Sequence, residues 1–435
     1  MRTQTLPAPT ARATGSPPPA RMDAFFAPES VAVFGATEVP GSVGRAVLSN
    51  LVRNPFGGVL YPVSPGCPGV LGVRAYPSLG DVPAPIDLAV VAAPGPAVPG
   101  VLRECAAAGV KGAVVLAAGL GEGGPERVEL RRQVAEQARD WPLRVLGPDS
   151  IGVVSSRTGI NVSFAPAQVR PGAVGYVGQS GALLAALAGP EAGPGCSTFL
   201  SAGAMADLGW EDCLGYLAEE ALTRSIGIAP GLIGDPAALV EAVRAVAPHK
   251  PVVVLTKGAA HGGQDAVLGE ALRRAGALVV HALADLLREA ELLAARPAPA
   301  GGRVAVVSNA AGPGLLAADA LLAEGCETVS PHPFPSPVSA EAFAEAVAVA
   351  ARDLACDAVL AVLTPQLTLD PVRAARGLAE VAAATGKLIL TVCLCGVARP
   401  DVTATLERAG VPAFSCLDGA VRTFGDLWRH SSRSG

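Results

Sequence analysis

One unit recurs along this chain: a short, wholly apolar run, a glycine-bearing turn, then residues with a helical period. It opens at VAVFG (31–35), where a loop with Gly35, Gly41 and Gly44 leads into a helix expected from Ser42 to Val52. It returns in GYVGQSGALLAA and again in VVSNAAGPGLLAA. Apolar runs of this kind suit strands buried on both faces, and strands alternating with helices build parallel sheets covered on each side. The runs at 58–64, 86–94, 112–118 and 143–148 complete a first Rossmann-like set. A second set falls at 173–181, 196–203, 225–232, 250–258 and 276–282. A third, after the Pro/Gly-rich ARPAPAGG (295–302), falls at 303–314, 356–365, 387–396 and 411–416. The expected class is α/β, with domains at 23–152, 153–298 and 299–435 behind a disordered tail, 1–22.

Composition narrows the setting. The 435 residues carry a net charge of −5, which gives no basic surface for nucleic acid or anionic lipid. No window holds the ~18 uninterrupted apolar residues of a membrane span. The nine cysteines include no CxxC pair, and Cys393 and Cys395 alternate along an expected strand, so neither a metal site nor a disulfide framework is expected. The Pro/Ala/Thr-rich N-terminus lacks the apolar core of a signal peptide, and a cytoplasmic protein is the simpler reading.

The chemistry resides in the turns. Glycines let backbone approach a ligand, and a helix beginning at Ser42 to Gly44 aims N–H groups at phosphate oxygens. The pattern is not a strict GxGxxG. The second strand ends in YPVSPGCPG (61–69), with no carboxylate to hold a ribose hydroxyl, which disfavours a nicotinamide cofactor. Gln179, Ser180 and Gly181, and later Asn309 and Gly312, stand at equivalent turns and can form anion nests. Each of these loops also fits a plain βα turn.

In this order and spacing the loops resemble the NDP-forming acyl-CoA synthetases, in particular the α-type half of ADP-forming acetyl-CoA synthetases; succinyl-CoA synthetase α subunits are more distant relatives. The likeness runs from about Phe25 to about Trp428. It is carried by GATEVPGSVG, the stretch 59–94, GVKGAVVLAAGLGEGG (109–124), RVLGPDSIGV (144–153), NVSFAP (161–166), GYVGQSGAL (175–183) and NAAGPGLLAADAL (309–321). The resemblance implies a Rossmann-like CoA-binding domain followed by two flavodoxin-like ligase domains. It places the CoA pyrophosphate over Gly35, Ala36, Thr37, Gly41, Ser42 and Gly44, with the adenine near Pro94. The pantetheine arm runs toward Gly119 and the GPDS turn (147–150), and Ser180 with its neighbours faces a phosphate. It also implies ligation of a carboxylic acid to CoA, with ATP and Mg2+ held by a separate ATP-grasp β-type subunit in an oligomer, and a histidine that carries phosphate from an acyl-phosphate intermediate.

The chain departs from that pattern at three places. LTKGAAHGGQDAVLGEAL (255–272) keeps the flanks of the phosphohistidine segment but has lost about a dozen residues between them, by that resemblance. His261 is the histidine left in the gap. Gly231 stands where the family places a glutamate, and Asp235 reads as a helix cap. Asp149 and Ser150 replace an amide and a thiol near the expected thioester, as a base or as a charge that repels acids. The sequence therefore leaves three readings open: the synthetase component, a CoA or acyl-CoA binder without phosphohistidine chemistry, and a thioester transferase or hydrolase on the same scaffold.

Overall fold

A computed structural model describes residues 22–54, 56–116, 124–165, 169–179, 195–231, 235–256, 263–296, 298–333, 338–394 and 400–434. The expected helix at LLAALA (183–188), the tail to residue 21, and Gly119, Ser180, Gly181 and His261 lie outside the described residues. Met22 does not belong to the tail: it is buried in the core, and its carbonyl accepts from the Phe25 N–H.

The chain forms two compact units, Met1–Leu286 and Leu287–Gly435. The division falls inside the helix Leu283–Ala295 rather than in the Pro/Gly stretch that follows it. The first unit contains two of the three expected sheets. In its first sheet, β1 (Ser30–Phe34), β2 (Val59–Val63), β3 (Leu88–Val91), β4 (Gly112–Leu116) and β5 (Arg144–Ser150) lie in the order β2-β1-β3-β4-β5, all parallel. Alternate residues serve opposite faces. Val31, Val33, Leu88 and Val90 pack with Val47, Leu48 and Leu51 of the helix Val43–Arg53, whereas Ala32, Phe34, Ala89 and Val91 pack with Val98 and Leu102 of the helix Val98–Ala107. Both faces are apolar because both are covered.

The second sheet comprises β6 (Val153–Ser155), β7 (Pro171–Gly178), β8 (Cys196–Ser201), β9 (Ser225–Ala229), β10 (Val252–Leu255) and β11 (Ala277–Val280). Their order is β11-β10-β9-β7-β8-β6, with only β6 antiparallel. The second unit holds β12 (Arg303–Ser308), β13 (Glu327–Pro333), β14 (Ala358–Leu363), β15 (Leu388–Cys393) and β16 (Ala413–Phe414), ordered β13-β12-β14-β15-β16 and parallel. Each sheet thus sets its first parallel strand between the second and the third. The chain turns opposite ways from those neighbours and opens a crevice at the first strand's C-terminal end. All three glycine turns leave from that position. No helix among the described residues is long and apolar enough to cross a membrane.

Local chemistry fixes the elements. Asp235 caps the helix Pro236–Val246 by accepting from the Ala237 and Ala238 N–H groups, as its position before proline leads one to expect. A second device went unread in the sequence. An aspartate precedes the third strand of both the first and the third sheet, and each reaches back to the first strand. Asp87 accepts from the Glu29 N–H at 2.9 Å and pairs with Lys111 at 2.6 Å. Asp357 accepts from the Arg303 N–H at 3.0 Å and grips its guanidinium with both oxygens, at 3.0 and 2.8 Å.

The Arg303 guanidinium holds the Asp357 carboxyl below its ordinary value of 3.8, so its stabilisation is complete above that pH and is lost as pH falls through the lower folded value. Asp357→Asn is therefore expected to lower the urea midpoint of the second unit at pH 7, and the gap to wild type should close below pH ~3.8. A gap that stays constant with pH would show that the carboxylate charge contributes nothing.

Candidate functional site

The crevice of the first sheet is shaped by absent side chains. Gly35 follows β1 with φ +77°, and a Cβ there would lie 2.7 Å from the Ala92 carbonyl oxygen at the end of β3. A Cβ on Gly44 would lie 2.0 Å from the Gly35 oxygen, so the first turn of the helix Val43–Arg53 presses directly on the loop. Ser42 caps that helix: its hydroxyl donates to the Val39 carbonyl at 2.7 Å and accepts from the Arg45 N–H at 3.4 Å. The Val43 and Gly44 amides, in the first turn, have no intrahelical acceptor and can meet an anion. Gly41, also at φ +77°, has nothing within 4 Å of its Cβ position. Ala36 is buried, the Thr37 hydroxyl accepts from the Val39 N–H, and Pro94 is exposed just past β3. The structure therefore brings Gly35, Ala36, Thr37, Gly41, Ser42, Gly44 and Pro94 to one edge of one sheet.

A residue overlooked in the sequence braces this loop. One Glu38 oxygen accepts from the Leu71 N–H at 2.6 Å and the other from Arg45 at 3.1 Å. Leu71 belongs to the turn of a small ribbon, Gly69–Val70 with Val73–Arg74, so Glu38 fastens that ribbon to the glycine loop.

The equivalent turns of the other two sheets differ. Gln179 follows β7, and its carboxamide accepts from the Gly231 N–H at 2.8 Å and donates to the Gly203 carbonyl at 3.4 Å. A Cβ on Gly231 would stand 2.9 Å from the Gln179 Cβ, so this glycine packs against the carboxamide-bearing side chain. Asn309, fully buried, follows β12 and is engaged throughout. Its Nδ2 donates to the Thr364 carbonyl at 2.9 Å, and its Oδ1 accepts from the Thr364 N–H and hydroxyl at 2.7 and 2.9 Å. Gln366 donates to its carbonyl at 2.8 Å. Read from the sequence as phosphate ligands, half-buried Gln179 and buried Asn309 have side chains that bond the backbone beyond neighbouring strands. Gly312 lies exposed in the first turn of the helix Ala311–Ala323, open on its Cβ side.

The GPDS turn lies at the seam between the two sheets of the first unit. Ser150 is buried; its hydroxyl donates to the Ser201 carbonyl at 2.6 Å and accepts from the Gly152 N–H at 2.9 Å, which places it as a joint rather than a nucleophile. Asp149 is half-buried at φ +61°. A Cβ on Gly203 would fall 2.2 Å from the Pro148 oxygen. Across the same seam Arg144 donates to Asp207 at 2.9 Å, and Asn50 donates to the Ser163 and Ala165 carbonyls at 2.8 and 3.0 Å.

Comparison with known proteins defines the class. Residues 29–156 match the CoA binding domain family, and residues 171–293 match the succinyl-CoA ligase like flavodoxin domain. The chain is 34% identical to the acetate–CoA ligase (ADP-forming) II subunit alpha of Pyrococcus furiosus, over 68% of each chain. It is 31% identical to acetate–CoA ligase (ADP-forming) I of Archaeoglobus fulgidus, over 95% of this chain and 64% of that one. The acetyl-coenzyme A synthetase 1 of Ca. Korarchaeum cryptofilum, solved with phosphate and ADP, superposes with a TM-score of 0.87 at 26% identity, over 95% of this chain and 97% of that one. This chain belongs to the ADP-forming acyl-CoA ligase family.

The tie at Asn309 has a measurable consequence. Asn309→Ala leaves the Thr364 backbone groups without their partner in a buried place, and it is expected to destabilise the second unit by about 1–3 kcal/mol while leaving ligand binding by the first unit unchanged. Unaltered stability in a denaturation series would refute the structural role.

Proposed function

We propose that this chain is the α-type component of an ADP-forming acyl-CoA synthetase, binding CoA at the β1 turn and joining it to a carboxylic acid. In this reading a separate ATP-grasp subunit supplies ATP and Mg2+. The supporting observation is the contrast among the three crevices: a carboxamide ties the second and the third, whereas the first is lined by glycine and capped by an uncommitted helix turn. The matched relatives include one that is itself a subunit alpha, and a longer single-chain ligase of which this chain spans 64%.

The residues fit CoA. A side chain at Gly35 or Gly44 would fill the cradle, and the open side of Gly41 leaves room for a diphosphate. The Val43 and Gly44 N–H groups would hold the pyrophosphate, aided by the helix dipole, with Pro94 beside the adenine. Bound CoA supplies the thiol that accepts the acyl group. In this reading Asp149, half-buried at the seam, takes the thiol proton or sets acid preference by its charge. His261 is proposed to carry the phosphoryl group, without the glutamate that Gly231 replaces.

Titration of the purified chain with CoA tests the pocket. Gly41→Asp and Gly41→Asn impose the same backbone strain at a site with open space, but only the aspartate sets a charge against the pyrophosphate. Gly41→Asp is expected to weaken CoA binding at least about tenfold beyond Gly41→Asn, the scale of a like-charge contact in a partly desolvated site. Equal affinities would remove the pyrophosphate from this loop. With an ATP-grasp partner present, His261→Ala should abolish acid-labile labelling by radioactive ATP; labelling that persists places the phosphoryl group elsewhere.

A further inference from the structure

CoA carries a phosphate monoester on its adenosine ribose, which 3′-dephospho-CoA lacks. In Rossmann dinucleotide sites a carboxylate near the end of the second strand takes up the ribose 2′-hydroxyl, or a nearby arginine takes up the 2′-phosphate, and the first sheet here shares the crevice beside its first strand. The end of β2 here offers no carboxylate. It offers Arg74.

Two anchors hold the ribbon that bears this residue. At one side Val63, the last residue of β2, bridges to Tyr76, with the Ser64 N–H donating to the Tyr76 carbonyl at 2.9 Å and the Tyr76 N–H to the Pro62 carbonyl at 2.9 Å. At the other side Glu38 of the glycine loop accepts from the Leu71 N–H. The Arg74 guanidinium lies 5.2 Å from the centre of the Tyr76 ring, which in turn leans on Tyr61 with ring centres 5.9 Å apart. Stacking on an aromatic face fixes the guanidinium plane and leaves its N–H edge free for a bidentate phosphate contact. Arg74 is exposed, and among the described residues no carboxylate pairs with it. Arg45, the arginine nearest the glycine loop in sequence, is by contrast held by both the carboxylate and the carbonyl of Glu38.

We propose that Arg74 recognises the ribose 3′-phosphate of CoA and sets the preference of this chain for CoA over its 3′-dephospho form. The inference rests on the reading of the β1 turn as the CoA pyrophosphate site and adds the residue that distinguishes between two ligands sharing that pyrophosphate.

The full chain is titrated with CoA and with 3′-dephospho-CoA. Wild type is expected to prefer CoA by about tenfold or more, the scale of one charge-assisted contact. Arg74→Gln should lower CoA affinity by that factor, leave 3′-dephospho-CoA affinity unchanged and bring the ratio near one. Arg74→Lys should restore part of the preference, and Arg139→Gln, which removes one positive charge on the helix Pro125–Asp140, should retain all of it. Undiminished preference in Arg74→Gln, or no preference in wild type, overturns the inference and leaves the pyrophosphate site standing. Failure of wild type to bind either ligand overturns both.

Discussion

The contact between the backbone of Gly35 and that of Ala92 is the constraint on which the first domain depends. Parallel strands that part at a crevice must send their following turns away from each other, yet here the two turns begin within van der Waals reach. Only a residue without a Cβ, in a left-handed conformation, can stand there. Gly44 repeats the demand from the helix side. The result is that at these two positions the backbone is left without side chains.

The same topology appears three times with three local solutions. After β7 a glutamine, and after β12 an asparagine, substitute for a ligand by bonding the end of the third strand. Side-chain amides carry a donor and an acceptor together, as a peptide group does, so they can satisfy two diverging backbones at once. The glycine version has no side chain with which to do so. Fold and topology therefore do not distinguish the three crevices; one residue at the end of each first strand does.

The strands and their grouping were legible because each run is apolar throughout and each turn is marked by glycine. Even the cap at Asp235 could be read from its proline neighbour. The roles of Gln179 and Asn309 could not, since an amide at a helix start suits a phosphate as well as a distant backbone, and the partner of Asn309 lies 55 residues away. The engagement of Ser150 depends on Ser201, on another strand of another sheet. Glu38 went unread because its partner Leu71 lies 33 residues away. The aspartates before β3 and β14 did leave a signal, an acidic residue directly ahead of an apolar run, and it becomes meaningful once two sheets show it. The contact division falls inside the helix Leu283–Ala295, which no composition change marks, whereas composition marks the proline-rich stretch just beyond it.

The seam between the first two sheets carries a further consequence. Ser150 with Ser201, Arg144 with Asp207, and Asn50 with the carbonyls of Ser163 and Ala165 pin it at separated points, all of them half-buried or deeper. A hinge needs a line along which few bonds break, and this seam offers none. Among the described residues, the glycine crevice is thus carried on a sheet that is fixed to its neighbour at several places, so a strain applied at one is shared by the others.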